Sequence, residues 1–353
     1  MRLLIVGFDH PAHVGTHFCD AAQSLGLTAT IADTQRALRG PPVIRSLAWR
    51  LRGHRPYRLK SFGDEVIRIH ETFRPDIVLA TGIAPLTETV LKKLKQRRAA
   101  LVNFLTDDPW NPAHLAAWFL KALPAYDFVF TPRHANMDSL RRLGCHRVQY
   151  LPFAYAPRIH YRQPLNEEEN ARFYSDVFFA GAADKDRLPY AGALLRSGLK
   201  VGLFGQYWER HLSTRFAAGG VLAPDALRCH ASAAAVTLCI TRRANQDGHA
   251  MRSFELPAMR TCLLTEDTPD HRRLFGPDGE ATVYFDSPVS MADRCLWLMQ
   301  REEERDRLAF NAHRIIVGGQ NTYADRLQSM LTVLGVGYRE LQSGGYSLPP
   351  ERL

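Results

Sequence analysis

The residues best suited to chemistry lie between Thr241 and Glu266, in the stretch TRRANQDGHAMRSFELPAMRTCLLTE. A polar loop there follows an apolar run and leads into a short helix opened by Arg252 and Ser253. Unpaired amides at a helix start, with Arg242, Arg243 and Arg252 beside them, form a cradle for a diphosphate. Glu255 stands one turn further on, where the two oxygens of its carboxylate match the cis-diol of a ribose. Pro257 and the small Ala258 suit a close contact of helix and sheet. An exposed loop with solvated arginines is the plainer alternative.

A second constellation is TDDPWNP, from Thr106 to Pro112, where adjacent carboxylates end an apolar strand. Asp107 or Asp108 is a candidate to accept a proton from an acceptor hydroxyl or to steady an oxocarbenium-like transition state. Trp110, with Asn111 beside it, offers a flat apolar face to a sugar. A solvated turn is the competing reading. The third is GFDHPAHVG, a glycine-rich turn whose spacing departs from GxGxxG and so gives little support to a dinucleotide site. Its His10 and His13, with His17 just beyond, are candidate general bases, since imidazole titrates near neutrality; capping of the following helix is the alternative role.

These residues need a scaffold that brings loops together, and the apolar runs supply one. Strands are expected at 3–8, 28–33, 76–82, 100–105, 127–132 and 148–153, separated by helical patterns. Residues 154–175, with Pro157, Pro164 and the run NEEEN, have the composition of an interdomain linker. A second series follows at 176–181, 200–205, 235–240, 261–266 and 281–285, with helices between them and at 290–334. Alternation of this kind predicts parallel, doubly wound α/β sheets, hence two tandem Rossmann-like domains. The expected boundaries are 1–155, 156–335 and a poorly ordered tail at 336–353. In such sheets ligands gather beyond the carboxyl ends of the strands, which adds Gly181, Lys185 and Arg187 to the candidates.

Composition narrows the partners. The 353 residues are 46% hydrophobic and 23% charged, an ordinary balance for a globular chain. No run is long and apolar enough to span a bilayer and no leader pattern opens the chain, so a cytoplasmic location is expected. The six cysteines lack CxxC pairing and read as free thiols, and no cysteine, histidine and carboxylate set has metal-ligand spacing, so no metal site is expected. The net charge of +9 favours anionic partners. Much of it lies in residues 36–60, where arginines interleave with Val43, Ile44, Leu47 and Leu51 and no acid intervenes. That segment reads either as a solvated face or as peripheral contact with an anionic membrane at its inner face. No recognition motif accompanies it, which argues against nucleic acid.

At the residues quoted above the sequence resembles the CgeB-like, spore-maturation type glycosyltransferases, a branch of the group-1 superfamily. The resemblance rests on RSFELPAMRTCLLTEDTPDHRRLFGPDGEATVYFDSP and NTYADRLQSML, with TDDPWNP, FTPRHANMDSLRRLG and YLPFAYAP in the first half, and spans nearly the whole chain. It implies the GT-B fold, two Rossmann-like domains whose parallel sheets face an interdomain cleft. It further implies a nucleoside-diphosphate sugar such as a UDP-sugar as donor, with no cofactor and no metal. In the superfamily two glutamates, the second on the ribose, bind the donor. Glu255 matches the second, whereas Asp247 stands where the first is expected. By the same resemblance Lys185 or Arg187 steadies the donor phosphates, and Asp107 and Asp108 occupy the position near the acceptor.

The resulting expectation is transfer of a hexose from a nucleotide sugar to a glycan, lipid-linked, protein or small-molecule acceptor. The residues leave the stereochemistry open, and only the resemblance favours retention. A sugar-nucleotide epimerase or a phosphorylase shares the architecture, but no lysine has the setting of a pyridoxal site. Asp247 in place of glutamate sustains the alternative of a catalytically degenerate sugar- or nucleotide-binding protein in an envelope or spore-coat assembly.

Overall fold

A computed structural model describes residues 1–97 and 99–335; the expected tail at 336–353 lies outside the described residues. Two compact units are present. The first comprises residues 1–151 together with the helix Tyr323–Val333, and the second comprises residues 152–322.

The first unit carries six parallel strands: β1 (Arg2–Gly7), β2 (Thr28–Asp33), β3 (Ile77–Thr81), β4 (Ala100–Phe104), β5 (Phe128–Thr131) and β6 (Val148–Tyr150), in the order β2-β1-β3-β4-β5-β6. The second carries β7 (Val177–Ala180), β8 (Val201–Phe204), β9 (Val236–Cys239), β10 (Leu263–Glu266) and β11 (Val283–Phe285), in the order β11-β10-β9-β7-β8, again all parallel. Each expected strand is present; β1 is shifted by one residue, β2 has the expected bounds, β6 is three residues shorter, and the others lose one or two residues. The central strands are buried on both faces, which is why they read as unbroken apolar runs. In each sheet the chain first moves outward on one side and then returns to the other, so the connections diverge between β1 and β3 and between β7 and β9. Those two points are where an open α/β sheet leaves a crevice beyond its strand ends.

Two expectations need correction. The pattern of the chain puts the last helix in the second domain, but Leu327, Met330 and Leu331 lie against Leu3, Ile77, Leu79 and Val102 of the first sheet. Tyr323 packs on Phe18 at 5.2 Å and on His17 at 4.9 Å between ring centroids. An amphipathic helix shows from its sequence that it must cover a sheet, not which one. Residues 154–175 are also no free linker. They belong to the second unit, where Tyr155 N donates to Asn321 O and the Arg228 guanidinium donates to Ile159 O and Gln163 Oε1. The acidic run forms the helix Glu167–Phe173, started by a capping box of Asn166 and Glu169.

Candidate functional site

At the crevice of the second sheet the loops after β7 and β9 are tied by one side chain. Arg187 is buried; it donates to Ala182 O, just past β7, at 3.1 Å and to Ile240 O, just past β9, at 2.8 Å. Burial, and then the neighbouring Arg242, lower its pKa from the ordinary arginine value. Its Nε is buried with no hydrogen-bond partner among the described residues. Asp184 shapes the same turn, accepting the amides of Asp186 and Arg187 with one oxygen while the other stands 3.7 Å from Arg242 and 3.8 Å from Arg187. Lys185 is exposed at the tip of this turn. Gly181 has a backbone role, its N–H donating to Phe204 O and its carbonyl accepting the Trp208 indole N–H. Gly205 (φ +131°) packs so closely on this turn that a Cβ there would stand 2.3 Å from Gly181 O.

The long loop after β9 then delivers the helix Arg252–Ala258. Arg252 Nε donates to Ala180 O, the last residue of β7, at 3.3 Å, and its terminal nitrogen pairs with Glu255. Glu255 is 1% exposed. Its other carboxylate oxygen lies 3.6 Å from Nε2 of the buried His160, whose Nδ1 accepts the Ala156 amide. A carboxylate taken out of water is costly unless charges and donors face it, and Arg252 and His160 supply these. Glu255, Arg252, Arg187 and Arg242 thus gather at the carboxyl ends of β7 and β9. Arg243 is displaced toward Tyr190 Oη (3.1 Å) and Glu266 (3.6 Å). Asp247 is half-buried in the loop, its amide donating to Arg242 O at 3.3 Å.

The helix start differs from the expected cradle. The amides of Ser253, Phe254 and Glu255 donate to Ala250 O and Met251 O, because the chain turns once before the helix begins. Ser253 is fully buried; its hydroxyl accepts the Ala250 amide and lies 2.8 Å from His271 Nε2. His271 Nδ1 faces Glu266 O at 2.8 Å and therefore holds the proton, leaving Nε2 to accept from Ser253. Burial pushes the His271 pKa down to about 4. Ser253 therefore anchors the helix. Glu266 accepts the Thr241 amide at 3.0 Å and its hydroxyl, fixing the end of β9.

Sequence reasoning missed His160, placed in a segment read as a linker, and His271 and Glu266 as supports. Position at a strand's carboxyl end was the available signal for Glu266; for the histidines the signal is tertiary.

In the first unit the candidates lie at the carboxyl ends of β1 and β4. Gly7 and Gly15 let the helix Val14–Ser24 press against β1: a Cβ on Gly7 would stand 2.9 Å from Gly15 Cα. The glycines of GFDHPAHVG thus serve packing. His10 and His13 are exposed, their ring centroids 5.5 Å apart, and Nδ1 of His10 accepts the Ala12 amide. Surrounding protein and the neighbouring His10 lower the His13 pKa, whereas His17 is buried and pushed down to about 4. Asp107 is half-exposed and accepts from Thr106 Oγ1 at 3.1 Å. Asp108 and Asn111 are buried and accept the Trp110 and Ala113 amides, so both shape the turn. Trp110 packs partly into the core. Among the described residues no group of three histidine, cysteine or carboxylate side chains is placed to hold a metal ion, and all six cysteines are free thiols.

No curated protein sequence matches the chain. Among solved structures it is similar to sucrose-phosphate synthase from Thermosynechococcus elongatus, at 12% identity and a TM-score of 0.67 over 98% of this chain and 100% of that one. It is similar to Anabaena HepE in complex with UDP and glucose, at 12% identity and 0.65 over 96% and 100% of the two chains. A UDP-N-acetylglucosamine 2-epimerase described as such for Listeria monocytogenes follows at 11% identity and 0.59, over 96% and 98%. The chain therefore has the GT-B fold of two Rossmann-like domains, and its residues 189–332 match the model of the family described as "Glycosyl transferase-like".

Proposed function

We propose that the chain is a metal-independent glycosyltransferase that takes a nucleoside-diphosphate sugar, a UDP-sugar first among them, and passes a hexose to an acceptor hydroxyl. The observation that carries this reading is the buried Glu255 carboxylate, held by Arg252 and His160 beside the Arg187 that spans the β7 and β9 loops. Glu255 accepts both ribose hydroxyls of the donor. Arg252, Arg242 and Lys185 neutralise the diphosphate as it departs, with Arg187 holding the two loops that carry them. The glycosyl transferase-like match over residues 189–332, which contain Glu255, and the UDP and glucose bound by the Anabaena protein support the choice of donor.

His13 and Asp107 are the first-unit groups offered to an acceptor proton. A depressed imidazole pKa keeps His13 neutral, and so basic, near pH 7. The resemblance of RSFELPAMRT and NTYADRLQSML supports a reading within the CgeB-like branch, with a glycan, lipid-linked, protein or small-molecule acceptor at the cytoplasmic face. The helix Pro42–Leu51 supports peripheral membrane contact, because Val43, Ile44, Leu47 and Leu51 are exposed among arginines. No helix among the described residues is long and apolar enough to cross a membrane.

The test is incubation with UDP-, GDP- and ADP-sugars while nucleoside diphosphate and sugar products are followed. Release of one nucleotide with transfer or hydrolysis of its sugar, abolished in Glu255→Gln, is the expected result. Tight binding without release from any sugar supports the degenerate binding protein instead, and epimerised sugar on an intact nucleotide supports the epimerase.

A further inference from the structure

The helix Gln35–Leu38 and the first turns of the helix Leu59–Phe73 border a cavity of about 220 Å³ on the first unit. Four arginines line it, Arg36, Arg39, Arg58 and Arg68, with Ser61, Phe62 and one acidic residue, Glu65. Arg36 pairs with Glu65. Arg39, Arg58 and Arg68 make no side-chain hydrogen bond or ion pair among the described residues. Three like charges around one opening repel one another unless an anion enters, and guanidinium forks match phosphate oxygens in pairs.

The cavity sits at the neck of an excursion. Arg58 N donates to Ala37 O and closes its base, and between them the chain runs out through the helix Pro42–Leu51. The far end is tied down, with His54 Nδ1 2.7 Å from Leu115 O and the Trp118 indole donating to His54 O. Val43 is 79% and Leu51 74% exposed on this anchored helix. A soluble phosphate would use the arginines and leave those side chains in water. A lipid uses both.

We propose that this cavity is a headgroup site for an anionic phospholipid, its phosphate held by Arg39, Arg58 and Arg68 while the apolar side chains of Pro42–Leu51 enter the interface. Phosphatidic acid, a phosphomonoester able to carry two charges, fills it better than a phosphodiester lipid. The inference rests on the membrane contact proposed above and adds a specific site to it.

The experiment is co-sedimentation of the full chain with phosphatidylcholine vesicles containing either phosphatidic acid or phosphatidylglycerol at matched surface charge. Wild type should prefer phosphatidic acid by roughly fivefold, about 1 kcal/mol for the one additional charge that its phosphomonoester brings to the arginines. Arg58→Gln with Arg68→Gln should erase that preference while phosphatidylglycerol binding persists. Arg45→Gln with Arg50→Gln, which removes equal charge outside the cavity, should weaken both and keep the preference. Equal binding of wild type to the two lipids, or a preference surviving in the cavity variant, overturns the headgroup site and leaves membrane contact standing. No binding to any vesicle overturns both. Glycerol 3-phosphate bound in solution by a chain that ignores vesicles overturns the lipid as source.

Discussion

Lowering the pH from 7 to 5 should loosen the second unit through His271, and the size of the effect follows from its surroundings. The ring is fully buried, and its pKa falls from an ordinary 6.5 to about 4. Because the folded-state pKa is depressed, the unfolded chain takes up a proton at this histidine between pH 6.5 and 4 while the native chain does not, so stability is present above that window and is lost as pH falls through it. At pH 5 the difference is about 2 kcal/mol, a tenth-protonated native ring against an almost fully protonated unfolded one. For a unit of this size that corresponds to a fall in Tm of about 4–8 °C. His271→Gln keeps an acceptor for Ser253 and a donor for Glu266 O but does not titrate. Urea unfolding of wild type and variant at the two pH values isolates the histidine, since all carboxylates are common to both. The variant should lose about 2 kcal/mol less than wild type on acidification. Equal losses in the two proteins would refute the reasoning, because they would mean that the Ser253 anchor tolerates an imidazolium.

Other substitutions probe the same region. Gly205→Ala puts a methyl group 2.3 Å from Gly181 O at φ +131°, and should cost about 1–3 kcal/mol or more in thermal unfolding. Arg187→Met removes two charge-assisted bonds to Ala182 O and Ile240 O; we expect a loss of about 2–4 kcal/mol of stability by urea titration, together with weaker nucleotide binding. His160→Phe should leave Glu255 one donor short and raise the nucleotide Kd roughly tenfold by calorimetry, with His160→Gln closer to wild type.

The strands were legible because parallel strands covered on both faces must be apolar at every position, as in LLIVG and TLC. The position of Glu255 was legible because it stands in the helix that follows a strand's carboxyl end. What escaped the sequence is which way neighbouring residues turn. Asp107 and Asp108 read as an equal pair, yet one is half-exposed and the other is consumed by a turn at Trp110. Ser253 and Arg252 read as joint ligands, yet one faces His271 and the other Ala180 O and Glu255. His160 sits among prolines and polar residues that carry no periodic pattern, and only packing on the second unit buries it. The destination of the helix Tyr323–Val333 is equally a matter of long-range contact, since its apolar stripe fits any sheet face.

The central claim is that Glu255 belongs to a nucleotide pocket, and calorimetric titration of UDP, GDP and ADP into wild type and Glu255→Ala tests it most directly. The account predicts that one nucleotide binds wild type with a micromolar Kd and that the variant, still folded, loses about 2–4 kcal/mol of that affinity with the two ribose bonds. Undiminished binding to the variant, or no binding of any of the three to wild type, would contradict it.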